Sequence, residues 1–176
     1  MPKRVVISGC SGGGKSTLLI ELSRLGYGVV EEPGRRIIAE ERETGGDAFP
    51  WVDAEAFVRR AIEMSLRDID ECSNPSQWVF FDRGLVDAAS ALYQITGEPL
   101  STSLGVEHLY HRKVFLTPPW PEIYVTDADR RHQLSNAVEE YDRLLEVYSS
   151  IGYKVLIVPK TSVKTRADFV LEQLAQ

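Results

Sequence analysis

The run Gly9-Cys10-Ser11-Gly12-Gly13-Gly14-Lys15-Ser16 fits the pattern G-x-x-x-x-G-K-[ST], whose chemistry is the cradling of phosphate. Glycines let successive backbone N–H groups curl around an anion, and a helix starting at the end of the run points the positive end of its dipole at the same charge. Gly9, Gly12, Gly13 and Gly14 supply the close approach, Lys15 reaches toward β- and γ-phosphates, and Ser16 is placed to ligate Mg²⁺. Thr17 completes the nucleotide-binding run, its hydroxyl being expected to pack or cap. Cys10 sits at a position whose side chain points away from phosphate, so it is expected to fill space rather than act as a nucleophile.

Two further clusters could complete a reaction. Asp82-Arg83-Gly84 follows the apolar run Trp78-Val79-Phe80-Phe81. A carboxylate there can hold the Mg²⁺ complex directly or through water, with Arg83 stabilising phosphoryl charge; a helix N-cap is the other reading of Asp82. In Glu31-Glu32-Pro33, Glu32 can take the proton from an attacking hydroxyl or form a surface ion pair with Arg35 or Arg36. Glu31 can orient a sugar or face solvent. The cluster Thr126-Asp127-Ala128-Asp129-Arg130-Arg131 offers two arginines able to close over a nucleotide, or else a solvated turn. Phe49, Trp51, Tyr93 and Trp120 can stack on a base or anchor packing, and none is assigned.

These residues need a scaffold that brings them together. Short apolar runs at residues 3–8, 27–31, 78–81, 113–117 and 154–158 read as strands, and they alternate with stretches of helical periodicity. Helices are expected after the glycine run to Gly26, from about Gly34 to Glu43, and from a cap at Asp53 to about Cys72. Others are expected from Leu85 to the break at Gly97–Pro99, around Leu104 to Tyr110, from a capping box at Asn136, and from about Ser162. Pro118 to Leu134, with its prolines and charges, reads as a long mobile surface loop and a lid. Five alternations imply a three-layer α/β/α fold around a five-stranded parallel sheet with right-handed crossovers. In such a sheet, ligands bind beyond the carboxyl ends of the strands, where the first three runs place the glycine loop, Glu32 and Asp82.

The 176 residues, at 43% hydrophobic and 26% charged, suit one globular domain spanning 1–176. A net charge of −6 argues against a dedicated nucleic-acid binder and for a small partner. The apolar runs are too short to span a membrane, and Met1-Pro2-Lys3-Arg4 is followed by no signal-peptide core, so a cytoplasmic setting is expected. Cys10 and Cys72 have no metal-type spacing and are expected to be free thiols. Oligomeric state is left open.

The chain resembles the P-loop nucleoside and nucleotide kinases, whose deoxynucleoside branch also carries a Glu-Pro pair after the second strand and an acidic-Arg-small triplet after the third. It is more closely similar to the ribosylnicotinamide kinase domain of the bifunctional NAD-biosynthesis regulator and to the neighbouring AAA-type ATP/GTP-binding family. That likeness rests on Glu31-Glu32-Pro33-Gly34-Arg35-Arg36, Phe80-Phe81-Asp82-Arg83-Gly84 and Phe115-Leu116-Thr117-Pro118-Pro119-Trp120. The resemblance implies Mg²⁺-dependent phosphoryl transfer from ATP, or GTP in its place, to a small hydroxyl acceptor such as a nucleoside or nucleotide. It also implies Glu32 as base or acceptor-orienting carboxylate, Asp82 on the metal side, Arg83 as phosphate clamp, and Arg130 or Arg131 as lid arginine. The chain departs from that pattern in having Asp in the triplet and in lacking a multi-arginine lid. The competing reading is a nucleotide-regulated ATP/GTP-binding module that presents a surface to a protein or lipid partner. A translation- or Ras-type GTPase is disfavoured by the lack of an N-K-x-D signature.

Overall fold

The structure, a computed structural model, describes residues 3–73, 75–105, 109–123 and 128–176, with the backbone alone at 123 and 128–134. Strands β1 (Arg4–Gly9), β2 (Gly28–Val30), β3 (Val79–Asp82), β4 (Lys113–Thr117) and β5 (Lys154–Ile157) form one parallel sheet in the order β2-β3-β1-β4-β5. Helices α1 (Lys15–Arg24), α2 (Pro33–Thr44), α3 (Ala54–Glu71), α4 (Leu85–Thr96), α5 (Leu100–Leu104), α6 (Ala128–Ser150) and α7 (Val163–Ala175) make the connections and the C-terminal cover. This is the α/β architecture that the alternation implies.

The central strands are apolar on both faces because each face meets helices. Val5 and Ile7 of β1 pack with Leu18 and Leu22 of α1 and Val170 of α7, while Val6 between them joins Leu85, Leu144 and Tyr148 on the other side. Phe80 and Phe81 of β3 divide between the two layers in the same way. Each fully buried aliphatic side chain of this kind contributes about 1.5–3 kcal/mol. Ile37 of α2 meets Ala61 and Met64 of α3 in a smaller core. Two helix starts are fixed by side-chain caps: the Ala56 N–H donates to Asp53 at 2.9 Å, and the Thr165 N–H donates to the Ser162 hydroxyl at 3.2 Å.

Two sequence expectations shift. The helix expected around Leu104 to Tyr110 ends at Leu104; it begins directly after Pro99 and stops at Gly105, whose φ is 64°, and residues 106–108 lie outside the described residues. The expected loop 118–134 holds a short 3₁₀ turn at Pro121–Ile123 and gives way to α6 at Ala128, eight residues before the capping box at Asn136. Asp129-Arg130-Arg131-His132-Gln133 carries no apolar stripe, so periodicity gives no sign of helix there. Residues 124–127, with Thr126 and Asp127 of the lid cluster, lie outside the described residues, as does Asn74 of the turn before β3.

Candidate active site

In this sheet β1 lies between β3 and β4, and β2 lies beyond β3, so the loops after β1, β2 and β3 meet at the crevice where chain order reverses. The glycine run leaves β1 at Gly9 and enters α1 through Gly14, which caps the helix in the left-handed region at φ 78°. Gly9, at φ 116°, leaves no room for a Cβ because the backbone of Thr117 at the end of β4 lies against it. Gly13 is also confined, a Cβ there falling 2.7 Å from the Thr117 hydroxyl. The cradle is thus held against the end of β4, with the first N–H groups of α1 open to an anion.

Lys15 is buried, and its Nζ donates to the Cys10 carbonyl at 3.2 Å. Burial, with the Arg83 charge adding to it, pushes the ammonium below its ordinary pKa, while Asp82 and Glu32 pull the other way. Asp82 is also buried; desolvation raises its carboxyl against the opposing Lys15 charge, and its Oδ1 has no hydrogen-bond partner. Asp82 and Ser16 border one cavity of about 250 Å³. Thr17 turns its hydroxyl back to the Gly14 carbonyl at 2.9 Å, the local bonding expected of a capping residue. Cys10 is buried, with its thiol raised by desolvation, as suits a space-filling side chain. Both cysteines are free.

Arg83 is the hub of the ion pairs beside the glycine loop. Its φ of 66° is unusual for a residue with a side chain. Its N–H donates to Ile7 at 3.0 Å, and its guanidinium gathers three carboxylates: Glu140 of α6 at 2.7 Å, Glu32 at 3.2 Å and Asp87 of α4 at 3.5 Å. Burial alone would lower this guanidinium, but the charges of Glu140, Asp87 and Glu32 outweigh it and hold the group above its ordinary value. Asp87 is saturated: it accepts from the Ser8 hydroxyl, from the Gly84 N–H at 2.9 Å and from the Tyr148 hydroxyl at 2.6 Å.

Glu32 pairs with both Arg83 and Arg35, so the ion-pair reading and the reactive reading fall on one side chain. Arg35 also donates to the Ser16 hydroxyl at 3.2 Å. Arg36 instead pairs with Asp68. Two cavities meet at Glu32 and Arg83. One, of about 340 Å³, is bordered by Gly12, Gly14, Lys15 and Ser16; the other, of about 210 Å³, by Gly34, Phe57, Gly84 and Glu140.

The expected residues Gly9, Gly12, Gly13, Gly14, Lys15, Ser16, Thr17, Glu32, Asp82 and Arg83 therefore converge at one end of the sheet. Arg130 and Arg131 stand in the first turns of α6 rather than in a loop, and their side chains lie outside the described residues. Sequence reasoning missed Asp87, Glu140 and Arg166. The Arg166 guanidinium, on α7, donates to the Gly14 carbonyl at 2.9 Å and the Thr17 hydroxyl at 3.0 Å, and lies 5.5 Å from the centre of the Trp120 ring. Asp87 had a local signal, a carboxylate three residues past Gly84 at a helix start; Glu140 and Arg166 had none. Among the described residues no group of three or more His, Cys, Asp or Glu can hold a metal, and no helix is long and apolar enough to cross a membrane.

A family model described as an AAA domain matches residues 4–166. No curated protein matches the sequence significantly. Among solved structures, thymidylate kinase from Ehrlichia chaffeensis superposes with a TM-score of 0.63 at 14% identity, covering 97% of each chain. Deoxyadenosine kinase from M. mycoides gives 0.60 at 15% identity, covering 98% of each chain. Shikimate kinase from Acinetobacter baumannii gives 0.56 at 16% identity, covering 98% of this chain and 92% of the other. At these identities the likeness is one of fold.

Proposed function

Taking as premise that the chain belongs to this AAA-domain family, we propose that it is a small-molecule kinase transferring the γ-phosphoryl group of ATP to a hydroxyl acceptor. The observation that carries this reading is the pair of cavities meeting at Glu32 and Arg83, one ending in the phosphate cradle and the other outside it. A hydrolase needs room for a water, whereas a second cavity beside the cradle suits an organic acceptor. The solved neighbours, kinases of a nucleoside, a nucleotide and a hydroxy acid, support the same class.

In this reading the triphosphate occupies the cradle and its charge offsets the buried Lys15 ammonium. Mg²⁺, when bound, would be held by Asp82 and Ser16 and would supply neutralising charge at the phosphates. The residues fit it: the Asp82 Oδ1 is buried without a partner, and Ser16 borders the same cavity. Glu32 orients the acceptor hydroxyl and takes its proton, and Arg83 remains beside it as a fixed positive charge. The stretch 118–134, ending in the first turns of α6, is the lid of a single domain, with Arg130 or Arg131 supplying charge over the nucleotide. GTP competes for the same cradle. Dependence on ATP and two free cysteines suit a cytoplasmic setting.

The test is ADP release from ATP and Mg²⁺ across a panel of nucleosides, nucleotides and hydroxy acids. Acceptor-dependent release is expected, and Lys15→Ala should lower it by about 10²–10³-fold or more, as loss of a transition-state donor does. Glu32→Gln should leave ATP affinity nearly unchanged and lower turnover by about 10²–10⁴-fold. Nucleotide binding with no acceptor-stimulated turnover would favour the regulated binding module instead.

A further inference from the structure

The cavity outside the cradle holds an uneven set of charges. Glu32, Asp87 and Glu140 border it with two cations, Arg83 and Arg143. Arg83 is committed to all three carboxylates. Arg143 is different: among the described residues its side chain makes no hydrogen bond or ion pair, and its Nε is buried without a partner. It stands three residues after Glu140 on α6, hence on the same face of that helix. The Arg143 side chain lines the cavity and is only partly buried, so its terminal guanidinium nitrogens, which have no partner among the described residues, are the ones available to donate to something that enters it.

The rest of the lining limits what enters. A phosphate or carboxylate would bring negative charge against three carboxylates with one uncommitted guanidinium to receive it, a juxtaposition that interfaces use to reject ligands. Phe57, Val58, Ala61 and Ala88 provide apolar wall. Gly34 gives Phe57 its place, since a Cβ there would lie 3.1 Å from the ring.

We infer that the acceptor is an uncharged hydroxyl compound, of the class that includes nucleosides, and that Arg143 selects it by donating to a carbonyl oxygen or ring-nitrogen lone pair. This assignment rests on the kinase reading and deepens it. Arg143 is a binding residue, while proton transfer remains with Glu32. It separates the uncharged class from the phosphorylated and carboxylated ones, which the fold alone treats alike.

The experiment is steady-state ADP release with adenosine, cytidine and thymidine, their 5′-monophosphates, and shikimate, using wild type, Arg143→Met and Arg143→Lys. At least one nucleoside should turn over with kcat/KM well above that of its own monophosphate and of shikimate. Arg143→Met should raise the acceptor KM by about 10–100-fold, leaving kcat within a few-fold and the KM for ATP unchanged, as loss of a charged hydrogen bond predicts. Arg143→Lys should recover part of that loss, and thermal melts establish that both variants fold. A better monophosphate or shikimate overturns the uncharged class. An unchanged acceptor KM in Arg143→Met, or one no better in Arg143→Lys, overturns the role of Arg143. No turnover with any acceptor, while ATP binding persists and depends on Lys15, overturns the kinase reading and this assignment with it.

Discussion

The phosphate cradle closes within the single stretch Gly9 to Thr17, whereas the neighbouring cavity draws Glu32, Phe57, Arg83, Asp87, Glu140 and Arg143 from loops and helices spread along the chain. The cradle works mainly with backbone N–H groups and one lysine, so its geometry is set by glycines and by the start of α1. The neighbouring cavity is walled by side chains, held by a knot of ion pairs around Arg83 whose partners lie as far as 57 residues away. A recognition surface of the first kind is fixed by local covalent geometry; one of the second kind depends on the whole packed domain.

That contrast can be broken by attacking each side where it is strongest. The largest stability effect is expected at Asp87, which accepts from Ser8, Gly84 and Tyr148 and faces Arg83. Asp87→Ala leaves these three buried donors without an acceptor, while Arg83 keeps Glu140 and Glu32, and should cost about 3 kcal/mol or more, read from urea unfolding. A loss below about 1 kcal/mol would show that the knot is ornamental to the fold.

On the cradle side the sign reverses. Desolvation raises the Asp82 carboxyl, partly offset by Lys15, so its folded pKa lies above the unfolded value. Between those two values the folded state holds more protons, and the stability of the nucleotide-free protein falls as pH rises through that window. Asp82→Asn removes that fall and should raise the melting temperature at neutral pH by about 2–4 °C for each kcal/mol released, while impairing turnover. Melting curves at several pH values check it; a variant with the wild-type slope refutes the assignment. The smallest effect belongs to the strained backbone of Arg83: Arg83→Gly should be about 1 kcal/mol more stable than Arg83→Ala, because both lose the ion pairs but only glycine tolerates the positive φ.

The same contrast explains what was legible in the sequence. The cradle was readable because its chemistry lies in one contiguous pattern, and Glu32, Asp82 and Arg83 were readable because each directly follows an apolar strand. The central strands were clear, since burial on both faces leaves short apolar runs such as Val79 to Phe81. Glu140 and Arg143 look like ordinary exposed-face residues of a charged helix; only the packing of α6 against α4 and β1 turns them inward. The start of α6 was hidden for a related reason, its first turns lacking any apolar stripe. Arg166 carries no local mark at all, being defined by the carbonyl and hydroxyl it reaches.

That arginine also sets an order in time. It braces Gly14 and Thr17 from a position 152 residues after Gly14, so the phosphate cradle lacks this support until the C-terminal helix has been made. At ordinary rates of protein synthesis the interval is about 8–30 s. A nascent chain will therefore carry the whole glycine motif long before α7 is there to brace it.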